Sequence, residues 1–373
     1  MFSAFLLGPS TILIEIAESL NTTPSDFSLV FTFFMVGLIT GQLTSNIYSR
    51  LVSRINLISI VYLALMAVSA GMFFSSNIYV FYLLYFVAGY FLGVSYIKAN
   101  QYILASPVTN KAKILTIATI FFPFGAILSP MLSVFMVESG WGYRYIYLAY
   151  LGMFVFIFLL YQLVTRRRKY NYQELKNSKI MLKDALNDRN KNLLLAAACL
   201  AILSYAISET VLSTWAPTFF REVRGLSPLD AGLQLTVFWI VLILGRLVFS
   251  QLTEKIKPIY IILILTIGAN VSLASLMLAN SKASILISAV FTGLSFSAIF
   301  PLLVYIGSRI YKQQVDLLLP VLFISGTAGN ALAPYLTSMV SRSSINLSIW
   351  VGYLFIFITL LLTVFLYVYR RRI

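Results

Sequence analysis

Three ionisable side chains stand deep inside apolar stretches of this 373-residue chain: Lys98, Glu209 and Arg246. A charge at mid-bilayer costs ~3 kcal/mol on insertion scales, so each one demands a reason. A buried carboxyl such as Glu209 is suited to carry a proton or to grip a hydroxylated or cationic solute. The structural alternative is a carboxylate bonded to neighbouring Ser or backbone groups. Lys98 could bind an anionic solute or neutralise Glu209 between steps of a cycle. Alternatively its long stem snorkels toward the membrane surface, roughly 12 Å away at 1.5 Å per helical residue. Arg246 carries a planar fork that matches carboxylates and phosphates. The preferred reading for it is structural, with Glu254 as its partner.

Neutral groups fill out a candidate binding site: Asn100, Gln101, Ser208 and Asn330, with aromatics that include Tyr96, Tyr205, Trp239 and Phe300. Amides beside aromatic faces suit a sugar or another small polar metabolite, although each ring taken alone is more often packing. Other chemistry is absent. The chain has no histidine and one cysteine, Cys199 in an apolar helix, which removes the commonest general base and transition-metal ligand and any disulfide framework. Neither a catalytic acid pair nor a nucleotide-binding loop is present. The expectations are no enzyme activity, no metal and no cofactor.

The elements that must position these residues are membrane helices. Hydrophobic residues make up 60% of the chain and charged residues 10%, far from the roughly one quarter of a soluble domain. Apolar runs of about 20 residues, enough to cross a bilayer as helix, recur at 1–19, 26–49, 56–75, 78–106, 114–137 and 145–165, and again at 192–220, 228–252, 258–279, 283–310, 317–340 and 346–369. No basic region precedes the first run and no small-residue cleavage site follows it, so a span rather than a signal peptide is expected there.

Of the 27 Lys and Arg residues, twenty fall on the side of the even-numbered loops and the C-terminus, and five on the other. The basic side is therefore read as cytoplasmic, with both termini inside and the inner membrane as the location. The net charge of +15 follows from that topology, and a nucleic-acid partner is not expected. The basic segment 166–191 includes an amphipathic pattern (Ile180, Met181, Leu182 and Leu186 against Lys179, Lys183 and Arg189), read as a tether, with a lipid-sensing role as the alternative.

The chain is also duplicated. Residues 23–43, TPSDFSLVFTFFMVGLITGQL, align on 227–247, SPLDAGLQLTVFWIVLILGRL, at an offset of 204. The same offset superposes GAILSPML (125–132) on GNALAPYL (329–336). Two separated matches at one offset indicate parallel repeats. The expected fold is an all-α membrane protein of twelve transmembrane helices in two parallel-repeat six-helix bundles, at 1–165 and 192–373, joined by 166–191.

Twelve spans in two parallel halves joined by a basic loop resemble the major facilitator superfamily. Within it, SETVLSTWAPTFF followed by SPLDAGLQLTVFWIVLILGRL resembles the fucose–proton symporter family. The resemblance implies alternating access: a secondary transporter of a small polar or anionic metabolite, with a co-transported proton or ion, working as a monomer in the lipid bilayer. The alternative is a transport-inactive homologue acting as a receptor or structural membrane protein. Gly125, Pro130, Gly329 and Pro334 resemble a weakened form of the superfamily's Gly-Pro motif and are read as gate positions. Glu254 and Lys255 look like a retained inner latch, whereas Arg50 stands where the matching N-terminal loop would carry an acid. Ser10 and Tyr96 occupy the places of that family's coupling acids and do not ionise near neutral pH, whereas Asn100 matches its span-four amide. Coupling therefore turns on Glu209, the match to the span-seven acid.

Overall fold

Inside a bilayer every backbone polar group needs a partner within the protein, and a helix supplies it locally. The computed structural model is accordingly helical throughout the residues it describes, which are 2–51, 54–106, 109–167, 188–311, 314–341 and 345–370. Most of the tether 168–187, with its amphipathic pattern, lies outside the described residues. Eleven of the expected spans are long and apolar enough to cross a membrane. The remaining one, at the N-terminus, is split into α1 (Phe2–Thr11) and α2 (Leu13–Ser19).

The first six spans continue as α3 (Pro24–Leu51), α4 (Arg54–Phe74), α5 (Ile78–Ala105), then α6 (Lys111–Ala118) with α7 (Phe121–Glu138), and α8 (Arg144–Arg167). The second six are α9 (Arg189–Glu222), α10 (Pro228–Leu252), α11 (Pro258–Leu278), then α12 (Lys282–Phe296) with α13 (Ile299–Ser308), α14 (Val315–Ser341) and α15 (Ile345–Arg370). Spans five and ten are thus each two helices with a short break between them.

By packing, the chain forms two compact units, Met1–Ala99 with Gly125–Ala185 and Asn100–Phe124 with Leu186–Ile373. Residues 100–124 belong to the N-terminal half by sequence yet pack with the second unit, α6 lying against α10 and α13. In that unit α9 is the central helix, covered by α14 and α15, while α10 and α11 both pack on α12.

The sequence repeat has a structural counterpart inside each unit. Thr23 Oγ1 accepts the Asp26 N–H at the start of α3, and Ser227 Oγ accepts the Asp230 N–H at the start of α10, so the same Thr/Ser-Pro-x-Asp cap opens both helices. In the first unit a Cβ on Gly89 would collide with the Phe34 carbonyl; in the second, a Cβ on Gly293 would collide with the Phe238 carbonyl. Gly89 and Gly293 are 204 apart, and so are Phe34 and Phe238. Bare glycine at these points lets span four ride on span two, and span ten on span eight, at backbone distance, as small residues do between membrane helices.

Candidate functional site

Glu209 sits in the middle of α9 and is half-buried. One turn earlier on the same face, Tyr205 is fully buried, and its hydroxyl donates to Glu209 Oε1 at 2.7 Å. That hydroxyl is also 2.9 Å from the Phe296 carbonyl, its second acceptor. The Tyr205 ring is held between Phe296 and Phe300, with centroids 5.6 and 6.3 Å away. Arg246, buried on α10, places its guanidinium beside the Tyr205 hydroxyl and near enough for its charge to act on Glu209.

What holds Arg246 there is main chain. Its Nε donates to the Ser297 carbonyl at 2.9 Å, and its Nη1 donates to the Thr119 carbonyl. Both acceptors lie at the breaks in spans ten and five. Each break stands just before a proline. Pro301 stands four residues after Ser297, and Pro123 four residues after Thr119. Proline has no N–H to return to the carbonyl four residues back, and its ring crowds that carbonyl. Here each helix stops and restarts two residues before its proline, and a carbonyl is left without its α-helical donor, although Thr119 still accepts the Phe122 N–H at 3.3 Å. One guanidinium supplies both. Its five donors in a rigid fork make this possible, where a lysine ammonium would lack the reach and geometry.

The remaining predicted residues fall as follows. The partners of Arg246 are these carbonyls and not Glu254, which takes its cation from Lys113, at 2.8 Å. Beside that pair, Asn110 Nδ2 donates to Thr253 Oγ1 at 3.1 Å, so the start of α6 is tied to the end of α10. Lys255 is exposed. Asn330 joins the neighbourhood of Glu209, accepting from Thr210 Oγ1 at 3.0 Å. The adjacent Gly329 brings α14 against the Leu203 carbonyl and the Ala206 side chain of α9. Pro130 lies within α7 and Pro334 within α14; Gly125 is half-buried near the start of α7. Asn100 and Gln101 are buried in the second unit. Lys98 and Tyr96 belong to the first. The Lys98 ammonium does not reach out to solvent: it is buried and donates to Asn46 Oδ1 at 3.2 Å. Ser208 is buried, and its hydroxyl has no partner among the described residues.

Sequence reasoning missed Thr119, Phe296 and Ser297, because main-chain acceptors carry no side-chain signature. The usable signal was the pair FFP (121–123) and IFP (299–301), each of which removes the N–H that would return to the carbonyl four residues upstream. Among the described residues no cluster of three His, Cys, Asp or Glu side chains could hold a metal.

The Major Facilitator Superfamily family model matches residues 1–315. The chain belongs to the Major Facilitator Superfamily. Its membership makes it a multi-pass membrane protein of a transporter superfamily and sets it apart from enzymes. Among curated proteins it is similar to the "Protein TsgA homolog" of Buchnera aphidicola subsp. Schizaphis graminum, 20% identical over 90% of this chain and 85% of that protein. It is also similar to the "Glucose/mannose transporter GlcP" of Bacillus subtilis, 22% identical over 86% of this chain and 80% of that protein. Among solved structures, the transporter FucP in its outward conformation superposes with a TM-score of 0.79 at 16% identity, covering 98% of this chain and 96% of FucP. A second structure of FucP, described as the E. coli fucose:proton symporter, gives 0.77. At that identity the likeness is one of fold.

Proposed function

We propose that this protein is a secondary active transporter that moves a small polar or anionic metabolite, a sugar or an organic acid, across the inner membrane by alternating access, with Glu209 as its proton-coupling acid. The observation that carries the reading is the hydrogen-bond pattern at Tyr205. One hydroxyl proton faces two acceptors, Glu209 Oε1 at 2.7 Å and the Phe296 carbonyl at 2.9 Å. With Glu209 ionised, Tyr205 donates to the carboxylate. With Glu209 protonated, the carboxylic acid donates to the Tyr205 oxygen, and Tyr205 turns its own proton to Phe296. In both protonation states Glu209 Oε1 and the Tyr205 hydroxyl then keep a hydrogen bond, which a purely structural carboxylate does not require.

The Phe296 carbonyl lies next to the break at Ser297 that Arg246 supports, so the proton on Glu209 and the local shape of span ten share one hydrogen-bonded group. A change at the acid is thereby passed to a discontinuous helix, the kind of element that lines transport sites in membrane proteins. The sugar-transporting relatives GlcP and FucP support a sugar as the first substrate class to test.

The test is solute uptake by protein reconstituted into liposomes. Glu209→Gln keeps the shape of the side chain but cannot release a proton. It is expected to abolish gradient-driven accumulation while leaving downhill exchange measurable. Wild-type accumulation by well-folded Glu209→Gln protein overturns the coupling role. A wild-type protein that binds sugars yet moves none, in either mode, favours a receptor.

A further inference from the structure

At the basic end of the second unit a cavity of about 400 Å³ opens between the start of α11, the end of α13 and the end of α15. Two cations line it, Lys257 and Arg309, with three phenols, Tyr260, Tyr305 and Tyr367. Neither cation faces an acid among the described residues, where the ion pairs are Lys113–Glu254, Lys191–Asp188 and Lys282–Asp230. Arg309 is half-buried in the lining, while Lys257 is exposed. The Tyr260 and Tyr367 rings pack together at 5.7 Å between centroids. Lys257 also occupies the N-cap of α11, which no side chain caps. In sequence, Tyr367 is followed closely by Arg370, Arg371 and Arg372. The site is far in sequence from Glu209, and nothing in the proposed transport cycle uses it.

We propose that this cavity binds the phosphate of an anionic phospholipid of the inner leaflet. A fork donor and an ammonium converging on one space match a phosphate oxyanion. Tyrosines at the end of membrane helices place amphipathic rings at headgroup level. Basic pockets between helices on the cytoplasmic side are where anionic headgroups are held. A free phosphate offers the same oxygens without the acyl chains, so the lipid assignment also requires that the chains contribute. The role that follows is a tether fixing the ends of α11, α13 and α15 to the membrane surface.

The experiment is native mass spectrometry of purified protein titrated with phosphatidylglycerol, with phosphatidylcholine of the same acyl chains, and with inorganic phosphate as competitor. The wild type is expected to retain one tightly held phosphatidylglycerol that phosphatidylcholine does not replace. The K257Q/R309Q double variant is expected to bind it about tenfold or more weakly, from the loss of two cations at a headgroup. Unchanged phosphatidylglycerol binding by the double variant overturns the proposal, and so does equal retention of phosphatidylcholine. Full displacement by millimolar inorganic phosphate makes the cavity a soluble-anion site and overturns the lipid assignment. If the double variant does not elute as a single species, K257Q alone, changed at an exposed position, decides the matter: unweakened binding there overturns the proposal, and weakening supports it.

Discussion

The Arg246 guanidinium donates to the Thr119 carbonyl, a contact between residues 127 apart in sequence. It joins the break in span five to the helix that carries Arg246, and through Ser297 to the break in span ten. The arrangement explains why a charged residue is kept so deep: the cation answers two carbonyls that Pro123 and Pro301 leave without their helical donors.

A proline exchange tests this account. Arg246→Gln should destabilise the protein by ~1–3 kcal/mol at the Ser297 carbonyl and by less at the Thr119 carbonyl, which keeps the Phe122 N–H at 3.3 Å. Pro123→Ala restores an N–H four residues after Thr119, so it should recover part of that loss in the Arg246→Gln background. Thermal unfolding of the four proteins in detergent reads the coupling as a double-mutant cycle. Additive effects would show that Arg246 does not serve the Thr119 carbonyl.

The backbone contacts at Gly89 and Gly293 predict a second, paired result. Gly89→Val and Gly293→Val each place a side chain against a carbonyl that belongs to a neighbouring helix, Phe34 or Phe238. Overpacking of this kind typically costs ~1–3 kcal/mol and more where main chain cannot move. Gly152, where an added Cβ would meet nothing within 4 Å, is the control and should accept Ala with little change. Size-exclusion profiles and melting temperatures of the three variants rank them; equal behaviour would mean the helices are not in backbone contact.

These cases mark what could be read from the chain alone. Hydropathy and the offset of 204 carry the spans and the repeat, because burial in lipid leaves the backbone no alternative to helix. Depth along a span likewise singled out Glu209, Lys98 and Arg246. Depth says nothing about which neighbouring helix a side chain meets, so Glu254 was a natural but mistaken partner for Arg246: it is near in sequence, whereas Thr119 is distant. Lys98 shows the same limit. Its stem could have snorkelled, yet Asn46 on a different span offers an acceptor inside the unit. The packing of residues 100–124 with the second unit has no local signal either, since it joins residues far apart in sequence, as Lys113 and Glu254 are.

That ion pair gives the third prediction. At 2.8 Å, with side chains 27% and 49% exposed, it is worth at most about 1 kcal/mol. If the tie between α6 and α10 is one that the transport cycle must break, Glu254→Gln should change turnover by no more than about fivefold and leave the melting temperature nearly unaltered. The exchange Lys113→Glu with Glu254→Lys should return turnover toward the wild-type value, while either single reversal should not. A double exchange no better than the single changes would remove the pair from the cycle.

The last prediction separates a proton switch from a mere hydrogen bond at Glu209. Tyr205→Phe removes the one hydroxyl that reaches both Glu209 and the Phe296 carbonyl, and leaves the ring contacts with Phe296 and Phe300 in place. A hydrogen bond to a charged group is worth ~1.5–3 kcal/mol, so any step that needs ionised Glu209 should slow by roughly 10- to 100-fold. In the Glu209→Gln background the same change should cost much less, because the charge that Tyr205 serves is gone. Proteoliposome uptake of the four proteins, driven by a proton gradient and again by exchange alone, supplies the comparison. Equal losses from Tyr205→Phe in both backgrounds and both modes would mean that the hydroxyl only braces span ten through Phe296, and that the proton path does not pass through Tyr205.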